Sequence, residues 1–265
     1  GGTCLNRGCF PTKSFMKTAE YLSHIRRAAG GGIVSDPAAA VDMPAVVACK
    51  DQAVRSLTNG VRTLLRSRGV TVVQGTARLA AEHQISCDGV SYTADRIILC
   101  GGSRAVIPPI PGAELPGVIT STEILNLKEV PQRLCIIGGG VIGCELASAF
   151  QAFGSQVTMV EKLDRLAATM DADISRELLN QMRRSGIDIR LGKGVREITA
   201  QEGNALTVAA EDAEIECDQV LLAIGRVPDL ECLGDLRDQI EVKNGRVVVD
   251  DTMRTSLKSV YACGD

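Results

Sequence analysis

The sequence predicts an α/β fold in which helices pack on parallel strands, and three features support this class. Patterns typical of strands and helices alternate along most of the 265 residues. Hydrophobic residues make up 45% and charged residues 23% of the chain, a balance typical of a globular protein with room for two ordinary domains. The segment RLCIIGGGVIGCELASAF, residues 133–150, joins an apolar strand pattern through glycines to a helix pattern.

Charge and hydropathy exclude several classes of partner. The 29 Lys and Arg residues are dispersed among 32 Asp and Glu, giving a net charge of -3, and only 3% of residues are aromatic. A nucleic-acid-binding surface would need clustered basic residues, so we expect no nucleic-acid partner. Because the chain has neither a long apolar run nor a basic, apolar leader at its start, we expect no membrane association and a cytoplasmic location.

The first third of the chain contains two helix patterns and several strand patterns. Apolar residues at helical spacing predict helices over 14–29 and from 43 to the glycine at 69. The strands predicted from β-branched and alternating residues are 70–73, 85–87, 90–93 and 94–102, the last of them buried. Asp88 and Gly89 predict a tight hairpin turn. The proline-rich stretch 107–117 is the best candidate for a domain boundary.

The glycine segment predicts a dinucleotide-binding unit. Gly138, Gly140 and Gly143 form a GxGxxG pattern between a strand and a helix, and Glu161 ends the next strand, QVTMVE. In this context the glycines allow a tight turn, approach of the backbone to a pyrophosphate, and close helix packing. A carboxylate at Glu161 accepts hydrogen bonds from a ribose 2′-hydroxyl and repels a 2′-phosphate, so we predict NAD rather than NADP.

Further elements are predicted beyond Glu161. A helix is expected over 172–185, and strands are expected in GVREIT, ALTVAA and QVLLAIG. The segment AIGRVPD, 223–229, places a glycine turn at the carboxyl end of the last strand. Open parallel sheets bind their ligands at such ends.

The first residues, GGTCLNRGCFPTK, place Cys4 and Cys9 five residues apart. On a regular helix their Cα atoms would be about 8–9 Å apart, which is too far for a disulfide, so bridging requires an irregular first turn. Gly8 allows this irregularity, and Pro11 suits the start of a helix, whose N-terminus favours a thiolate. We interpret the pair as a reversible redox dithiol, with two unpaired thiols as the alternative.

The remaining cysteines and the histidines carry little signal. The other eight cysteines lie mostly within apolar runs, and we interpret them as small buried residues. The spacings predict no metal site. His24 and His83 are expected on the surface because their neighbours are polar.

A redox dithiol and a nicotinamide site in one chain imply a flavin as the intermediate electron carrier.

The motifs resemble those of the flavin disulfide reductases related to glutathione reductase. GGTCLNRGCFPTKS is similar to the active-site segment of that family, and the resemblance continues through the proline-rich stretch and IIGGGVIGCELASAF to LLAIGRVPD and VYACGD. It implies two Rossmann-like nucleotide-binding domains, with the FAD domain incomplete and interrupted by the NAD domain. The implied boundaries are 1–115 for a partial FAD domain with the CxxxxC motif, 116–234 for the NAD domain, and 235–265 for the return to the FAD domain.

The resemblance also implies roles for individual residues. Cys4 would exchange with substrate, Cys9 would contact the flavin, and Lys13 would lie near the flavin and pair with Glu145. The residues implied for NAD are Gly138, Gly139, Gly140, Val141, Ile142, Gly143, Glu161, Val195, Ala223, Ile224, Gly225 and Arg226. Those implied for FAD are Lys13, Ala77, Gly102 and Asp265.

Departures from the family pattern decide the substrate prediction. Val141 stands where glutathione-linked members carry a tyrosine, and with Glu161 it favours the members that oxidise dihydrolipoamide with NAD. Their partners are dihydrolipoamide on the lipoyl domains of 2-oxoacid dehydrogenase or glycine cleavage complexes, and they are homodimers. A glutathione-type or mercuric reductase is one alternative, and a nucleotide-binding module without catalysis is another.

The resemblance further implies that the chain is a fragment. Only one GxGxxG unit is present, and the family's acid and base on the substrate thiol have no counterpart in this sequence. We therefore expect the 265-residue chain alone to be inactive.

Overall fold

The computed structural model describes residues 2–36 and 38–265. The α-helices in these residues are α1 (Thr3–Arg7), α2 (Cys9–Ala28), α3 (Met43–Ser67), α4 (Val141–Phe153) and α5 (Ala172–Arg184). Short 3-10 helices cover Ala29–Gly31, Ile124–Asn126, Glu202–Asn204 and Glu231–Leu236. None of these described helices is both long and apolar enough to cross a membrane.

The strands of the first half are β1 (Ala77–Ala81), β2 (Gln84–Cys87), β3 (Val90–Thr93), β4 (Ile97–Leu99), β5 (Ser103–Ala105), β6 (Val118–Thr120), β7 (Arg133–Ile137) and β8 (Gln156–Glu161). Those of the second half are β9 (Asp188–Leu191), β10 (Val195–Ala200), β11 (Leu206–Ala210), β12 (Glu214–Cys217), β13 (Gln219–Leu222), β14 (Arg226–Pro228), β15 (Val242–Lys243), β16 (Arg246–Val247) and β17 (Val260–Ala262).

The described residues form two compact units, one within Gly1–Gly60 and Ala105–Gly225, the other within Val61–Arg104 and Arg226–Asp265. The first unit contains a five-stranded parallel sheet in the order β6-β13-β7-β8-β9. Its central strands are apolar runs that are buried on both faces, as parallel sheets require. The α/β class predicted from the sequence is confirmed.

Each face of this sheet packs against a different layer. On one face, Leu134 and Ile136 of β7 join the core of α2, α4 and α5. On the other face, Cys135 and Ile137 pack with the antiparallel sheet β10-β11-β12. The alternation along β7 follows from the period of two in a strand, which sends successive side chains to opposite faces.

Helices α2 and α4 pack through an aromatic cluster. Phe15 of α2 lies 6.2 Å from Phe150 and 5.8 Å from Phe153 of α4, measured between ring centroids. All three rings are almost completely buried. Burying a phenylalanine contributes roughly 1.5–3 kcal/mol, so this cluster fixes the position of α2, which starts at Cys9, against α4.

The second unit is built mainly from hairpins. Strands β1, β2 and β3 form an antiparallel sheet, and β4 pairs in parallel with β17. Asp88 and Gly89 both have positive φ, 47° and 84°, as the predicted two-residue turn between β2 and β3 requires. The core of this unit contains Leu79, Ile97 and Val260, together with Leu233, Leu236 and Ile240.

Several element predictions are confirmed and others are wrong. The two long helices, the hairpin and the helix α5 are present, although α2 begins at Cys9 rather than at Ser14. The predicted strand 70–73 is absent, and Val70, Val72 and Val73 are exposed. Strong β propensity does not form a strand without a partner for its hydrogen bonds. In the predicted buried strand around β4, Ile97 is buried but Ile98 is 65% exposed.

The strands that the sequence did not predict are β1, β5, β6, β9, β12, β14, β15, β16 and β17. Segment Asp188–Leu191 alternates charged and apolar residues over only four positions. So short a pattern does not distinguish a strand from a loop. Pairing with β8 makes this segment an edge strand of the parallel sheet.

Candidate redox and nucleotide-binding sites

Cys4 and Cys9 form a disulfide, with their Cα atoms 4.6 Å apart. Helix α1 ends at Arg7 and α2 begins at Cys9, so the break at Gly8 brings the two cysteines together. A Cβ atom on Gly8 would lie 3.0 Å from the carbonyl oxygen of Thr3, a contact tighter than side chains normally tolerate. The predicted irregular first turn is confirmed. Both cysteines are exposed and accessible to a substrate.

Lys13 and Glu145 form an ion pair between α2 and α4. Lys13 lies one turn beyond Cys9, while Glu145 is the fifth residue of the helix that follows the glycine turn. The predicted pairing of these two residues is confirmed. A cation one turn from a thiol favours its thiolate form, and the carboxylate restricts where that cation lies.

We expect the Lys13→Met variant, once its disulfide is reduced, to react more slowly with iodoacetamide at Cys9. The loss of a positive charge disfavours the thiolate, which is the form that reacts with iodoacetamide. Mass spectrometry of the alkylated peptides measures the rate at each cysteine. Lys17→Met is the matched control, because Lys17 lies on the same helix and pairs instead with Glu20. An equal change in both variants would contradict the role given to Lys13.

Steric contacts explain why two positions of the glycine turn must be glycine. A Cβ on Gly138, whose φ is 112°, would lie 2.5 Å from the carbonyl oxygen of Ala223, and a Cβ on Gly143 would lie 2.0 Å from the carbonyl oxygen of Gly138. Both glycines therefore permit close packing within the protein. At Gly140 a Cβ would meet no described atom within 4 Å. Gly140 is the N-cap residue of α4, and the free amides at this helix N-terminus suit an anionic phosphate.

Glu161 is joined to the glycine turn by hydrogen bonds. Its carboxylate accepts from the backbone N–H of Gly139 at 2.5 Å and from that of Leu163 at 2.7 Å. Carboxylate oxygens have further lone pairs, so both bonds leave acceptor capacity for a ribose hydroxyl. The sequence identified Glu161, but it did not predict that the same side chain holds the turn.

Cys144 lies beneath this turn and is not suited to redox chemistry. Its thiol donates to the carbonyl oxygen of Gly139 at 3.4 Å. Burial, with the nearby carboxylates of Glu161 and Glu145, raises the pKa of Cys144 to about 11. The thiol is therefore protonated at neutral pH.

The remaining residues implied for NAD lie in different places. Ala223 follows β13 and its N–H donates to Ile137, whereas Ile224 and Val141 are exposed beside the glycine turn. Val195 begins β10 and packs against the core of the antiparallel sheet. Ile142 lies in the first turn of α4. Gly225 directly follows Ile224.

Arg226 lies in the second unit, in a cleft of about 540 Å³ that Gly102, Ser103 and Asp265 also line. Its guanidinium donates to the hydroxyl of Ser103 at 2.8 Å and to its carbonyl oxygen at 2.5 Å, and lies 3.6 Å from the Asp265 carboxylate. The Ser103 hydroxyl donates to Asp265. We refer to this site as the Gly102–Asp265 cleft. Ala77, also implied for FAD, begins β1 opposite Cys87.

The sequence did not identify Ser103 as part of this cleft. Its position next to Gly102 was the only local signal, and the link to Asp265 spans 162 residues. In the described part of the chain, no group of three or more potential ligands is placed to hold a metal ion. His24 and His83 are exposed, as predicted.

The disulfide at a helix start and the glycine turn beside an acidic residue define a nucleotide-dependent disulfide oxidoreductase. The family model "Pyridine nucleotide-disulphide oxidoreductase" matches residues 1–265, and the chain belongs to this family. The chain is 35% identical over 271 residues to a dihydrolipoyl dehydrogenase of Acholeplasma laidlawii, covering all of this chain and 79% of the relative. It is 34% identical over 269 residues to a glutathione reductase of Burkholderia cepacia, of which it covers 59%.

Among solved structures, the chain is similar to the HOCl-induced flavoprotein disulfide reductase RclA from Escherichia coli. The TM-score is 0.86 at 33% sequence identity, and the match covers the whole of this chain and 57% of RclA. The chain therefore spans a little over half the length of RclA and of the Burkholderia relative.

Proposed function

We propose that the protein carrying this chain is a flavin-dependent disulfide oxidoreductase that transfers electrons from dihydrolipoamide to NAD. The observation that carries this proposal is the exposed Cys4–Cys9 disulfide at the start of α2, joined through Lys13 and Glu145 to the helix of the glycine turn. The similarity to a dihydrolipoyl dehydrogenase at 35% identity supports the substrate class.

The chemistry at the cysteines is thiol–disulfide exchange. A substrate thiolate attacks Sγ of Cys4, the Cys4–Cys9 bond breaks, and Cys9 leaves as a thiolate next to Lys13. The second substrate thiol then attacks the mixed disulfide and releases Cys4, so the substrate becomes a disulfide and the protein dithiol holds two electrons. FAD, when bound, supplies a two-electron carrier between this dithiol and the nicotinamide.

We assign the cofactor contacts to residues whose positions suit them. For NAD, the amides at the start of α4 and the open side of Gly140 suit the pyrophosphate, Glu161 suits the ribose, and the segment Ala223–Gly225 lies beside them. For FAD, the backbone of Gly102 and the carboxylate of Asp265 line one cleft. The proposed domains are 1–115 and 235–265 for FAD and 116–234 for NAD.

The proposal extends to partners and location. We place the enzyme in the cytoplasm as a homodimer that acts on dihydrolipoamide carried by lipoyl domains of 2-oxoacid dehydrogenase or glycine cleavage complexes. The second candidate is an NADPH-dependent reductase of glutathione disulfide, which the similarity to the Burkholderia glutathione reductase favours. The carboxylate of Glu161 argues against it because it repels a 2′-phosphate.

One assay on the full-length protein separates the two candidates. Reduction of NAD by dihydrolipoamide is measured against oxidation of NADPH by glutathione disulfide, at equal enzyme and substrate concentrations. The proposal predicts the first reaction. Faster NADPH oxidation would overturn the proposal. Binding of NADH without either reaction would also overturn it and would indicate a nucleotide-binding module without catalysis.

The Glu161→Arg variant should reverse the cofactor preference. Loss of a charge-assisted hydrogen bond to the ribose costs about 1.5–3 kcal/mol, which corresponds to a fall in NADH affinity of roughly 10- to 150-fold. The arginine also creates a partner for the 2′-phosphate of NADPH. Fluorescence titration of both nucleotides measures the preference. Lys162→Gln is the control, because it changes an adjacent charge and leaves the carboxylate intact. Tighter binding of NADPH than NADH by the unmodified chain would refute the ribose assignment.

A further inference from the structure

Cys100 and Cys263 lie side by side in the second unit, at the carboxyl ends of two neighbouring strands. Strands β4 and β17 pair in parallel with Leu99 opposite Ala262, and each cysteine is the next residue along its strand. The backbone N–H of Cys263 donates to the carbonyl oxygen of Leu99 at 3.0 Å. The two Sγ atoms are 3.5 Å apart.

The surroundings of the pair suit disulfide formation. Neighbouring strands are about 4.8 Å apart, which falls within the range of roughly 4.4–6.8 Å between Cα atoms that a disulfide spans. The sulfurs must approach by only about 1.5 Å to reach bonding distance. Both cysteines are exposed, which corrects the sequence-based interpretation of them as buried apolar residues.

We propose that Cys100 and Cys263 form a second redox pair, separate from Cys4 and Cys9, which low-molecular-weight disulfides oxidise. The thiolate of one cysteine attacks a sulfur of the small disulfide and releases one half as a thiol. The other cysteine attacks the resulting mixed disulfide and releases the second half. One S–S bond breaks and one forms, the two cysteines are oxidised, and two small thiols carry away the electrons and protons.

The new bond would link two segments that line the same cleft. Gly102 and Asp265 each lie two residues beyond one of the cysteines, and both line the Gly102–Asp265 cleft. If this cleft holds FAD, which rests on the proposed function, oxidation of the pair ties together the two segments that contact the cofactor. Formation of the disulfide itself does not depend on that assignment.

A third thiol must be distinguished from the pair. Cys232 lies close enough that a Cβ on Gly101 would be 2.8 Å from its sulfur. Its thiol donates instead to the carbonyl oxygen of Asp229, at 3.5 Å.

Burial and the hydrogen bond with Cys263 raise the pKa of Cys100, so exchange is best measured at mildly alkaline pH.

Peptide mapping of the intact chain tests the proposal. The chain is incubated with glutathione disulfide, the remaining thiols are blocked, and tryptic peptides are analysed by mass spectrometry. Cleavage separates the three cysteines, which lie in IILCGGSR (97–104), VPDLECLGDLR (227–237) and SVYACGD (259–265). We expect the first and third peptides to become linked, with loss of two of the eight free thiols.

Two serine variants provide the controls. Cys263→Ser should lose no thiol to an internal disulfide, and Cys100 should carry only a mixed disulfide with glutathione. Cys49→Ser removes an exposed thiol of the other unit and should behave like the unmodified chain. A dominant link to the Cys232 peptide, or the absence of any link between Cys100 and Cys263 after oxidation, would overturn the proposal. Because the measurement needs neither flavin nor NAD, it succeeds or fails independently of the proposed enzymatic activity.

Discussion

Replacing Cys9 by serine in the full-length protein is expected to reduce dihydrolipoamide-dependent formation of NADH by roughly a thousandfold or more. Serine cannot form the disulfide with Cys4, so the substrate dithiol has no acceptor for its two electrons. The break at Gly8, which brings the two cysteines together, has no function once one sulfur is absent. The rate of NADH formation under saturating substrates measures the effect.

Cys49→Ser is the control for this variant because Cys49 is also exposed and lies in the same unit. We expect it to retain full activity. Binding of NADH should be unchanged in both variants, because neither cysteine belongs to the glycine turn. If the Cys9→Ser protein kept more than about a tenth of the activity, the electrons would follow a route that does not use this disulfide, and the proposed function would be wrong.

The second large effect is expected at the glycine turn, where two similar substitutions should affect different properties, one the folding stability and the other the binding of NADH. Gly143→Ala places a methyl group 2.0 Å from the carbonyl oxygen of Gly138, a backbone atom that cannot move without opening the turn. We expect the free energy of unfolding to fall by about 2–3 kcal/mol, as for other overpacked sites. Without this contact, alanine would stabilise a helix relative to glycine by roughly 1 kcal/mol.

Gly140→Ala should instead change ligand binding and leave folding nearly intact. Its φ of -72° is ordinary for alanine, and the added methyl group meets no described atom within 4 Å. We expect the free energy of unfolding to change by less than about 1 kcal/mol, the usual cost of alanine at a helix N-cap. NADH affinity should fall at least about tenfold, because the methyl group occupies the side from which the pyrophosphate approaches.

Urea unfolding followed by circular dichroism and titration with NADH measure the two effects separately. Gly60→Ala is the matched control, since Gly60 lies within α3 and its Cβ would also meet no described atom within 4 Å. It should stabilise the chain slightly and leave NADH binding unchanged. Unchanged NADH affinity in Gly140→Ala would show that the pyrophosphate does not approach this turn.

The local elements of the site could be predicted because their causes lie within a few residues. Gly8 separates α1 from α2, and the GxGxxG pattern with Glu161 lies within one strand–helix–strand unit. The resemblance to a known family added the pairing of Lys13 with Glu145, which the structure confirms. No local pattern of spacing contains that contact, since it joins residues 132 positions apart.

Predictions failed where the outcome depends on a partner strand. The segment 70–73 is as rich in β-branched residues as any strand of the chain, yet it forms none. The edge strand Asp188–Leu191 has a weak pattern and forms because β8 offers hydrogen bonds. Strand propensity describes how well a side chain suits a pleated surface, whereas pairing decides whether that surface exists.

By itself the sequence determined the groups available to this protein: two thiols placed where a helix begins, and a glycine turn at a helix N-terminus followed by a carboxylate. These features depend on steric and capping effects among neighbouring residues. Only the tertiary structure placed Arg226, Ser103 and Asp265 in one cleft and brought Cys100 within 3.5 Å of Cys263. Those contacts depend on the parallel register of β4 and β17, which are more than 150 residues apart. Such a register is set by burial and pairing across the whole unit, so no short stretch of sequence contains it.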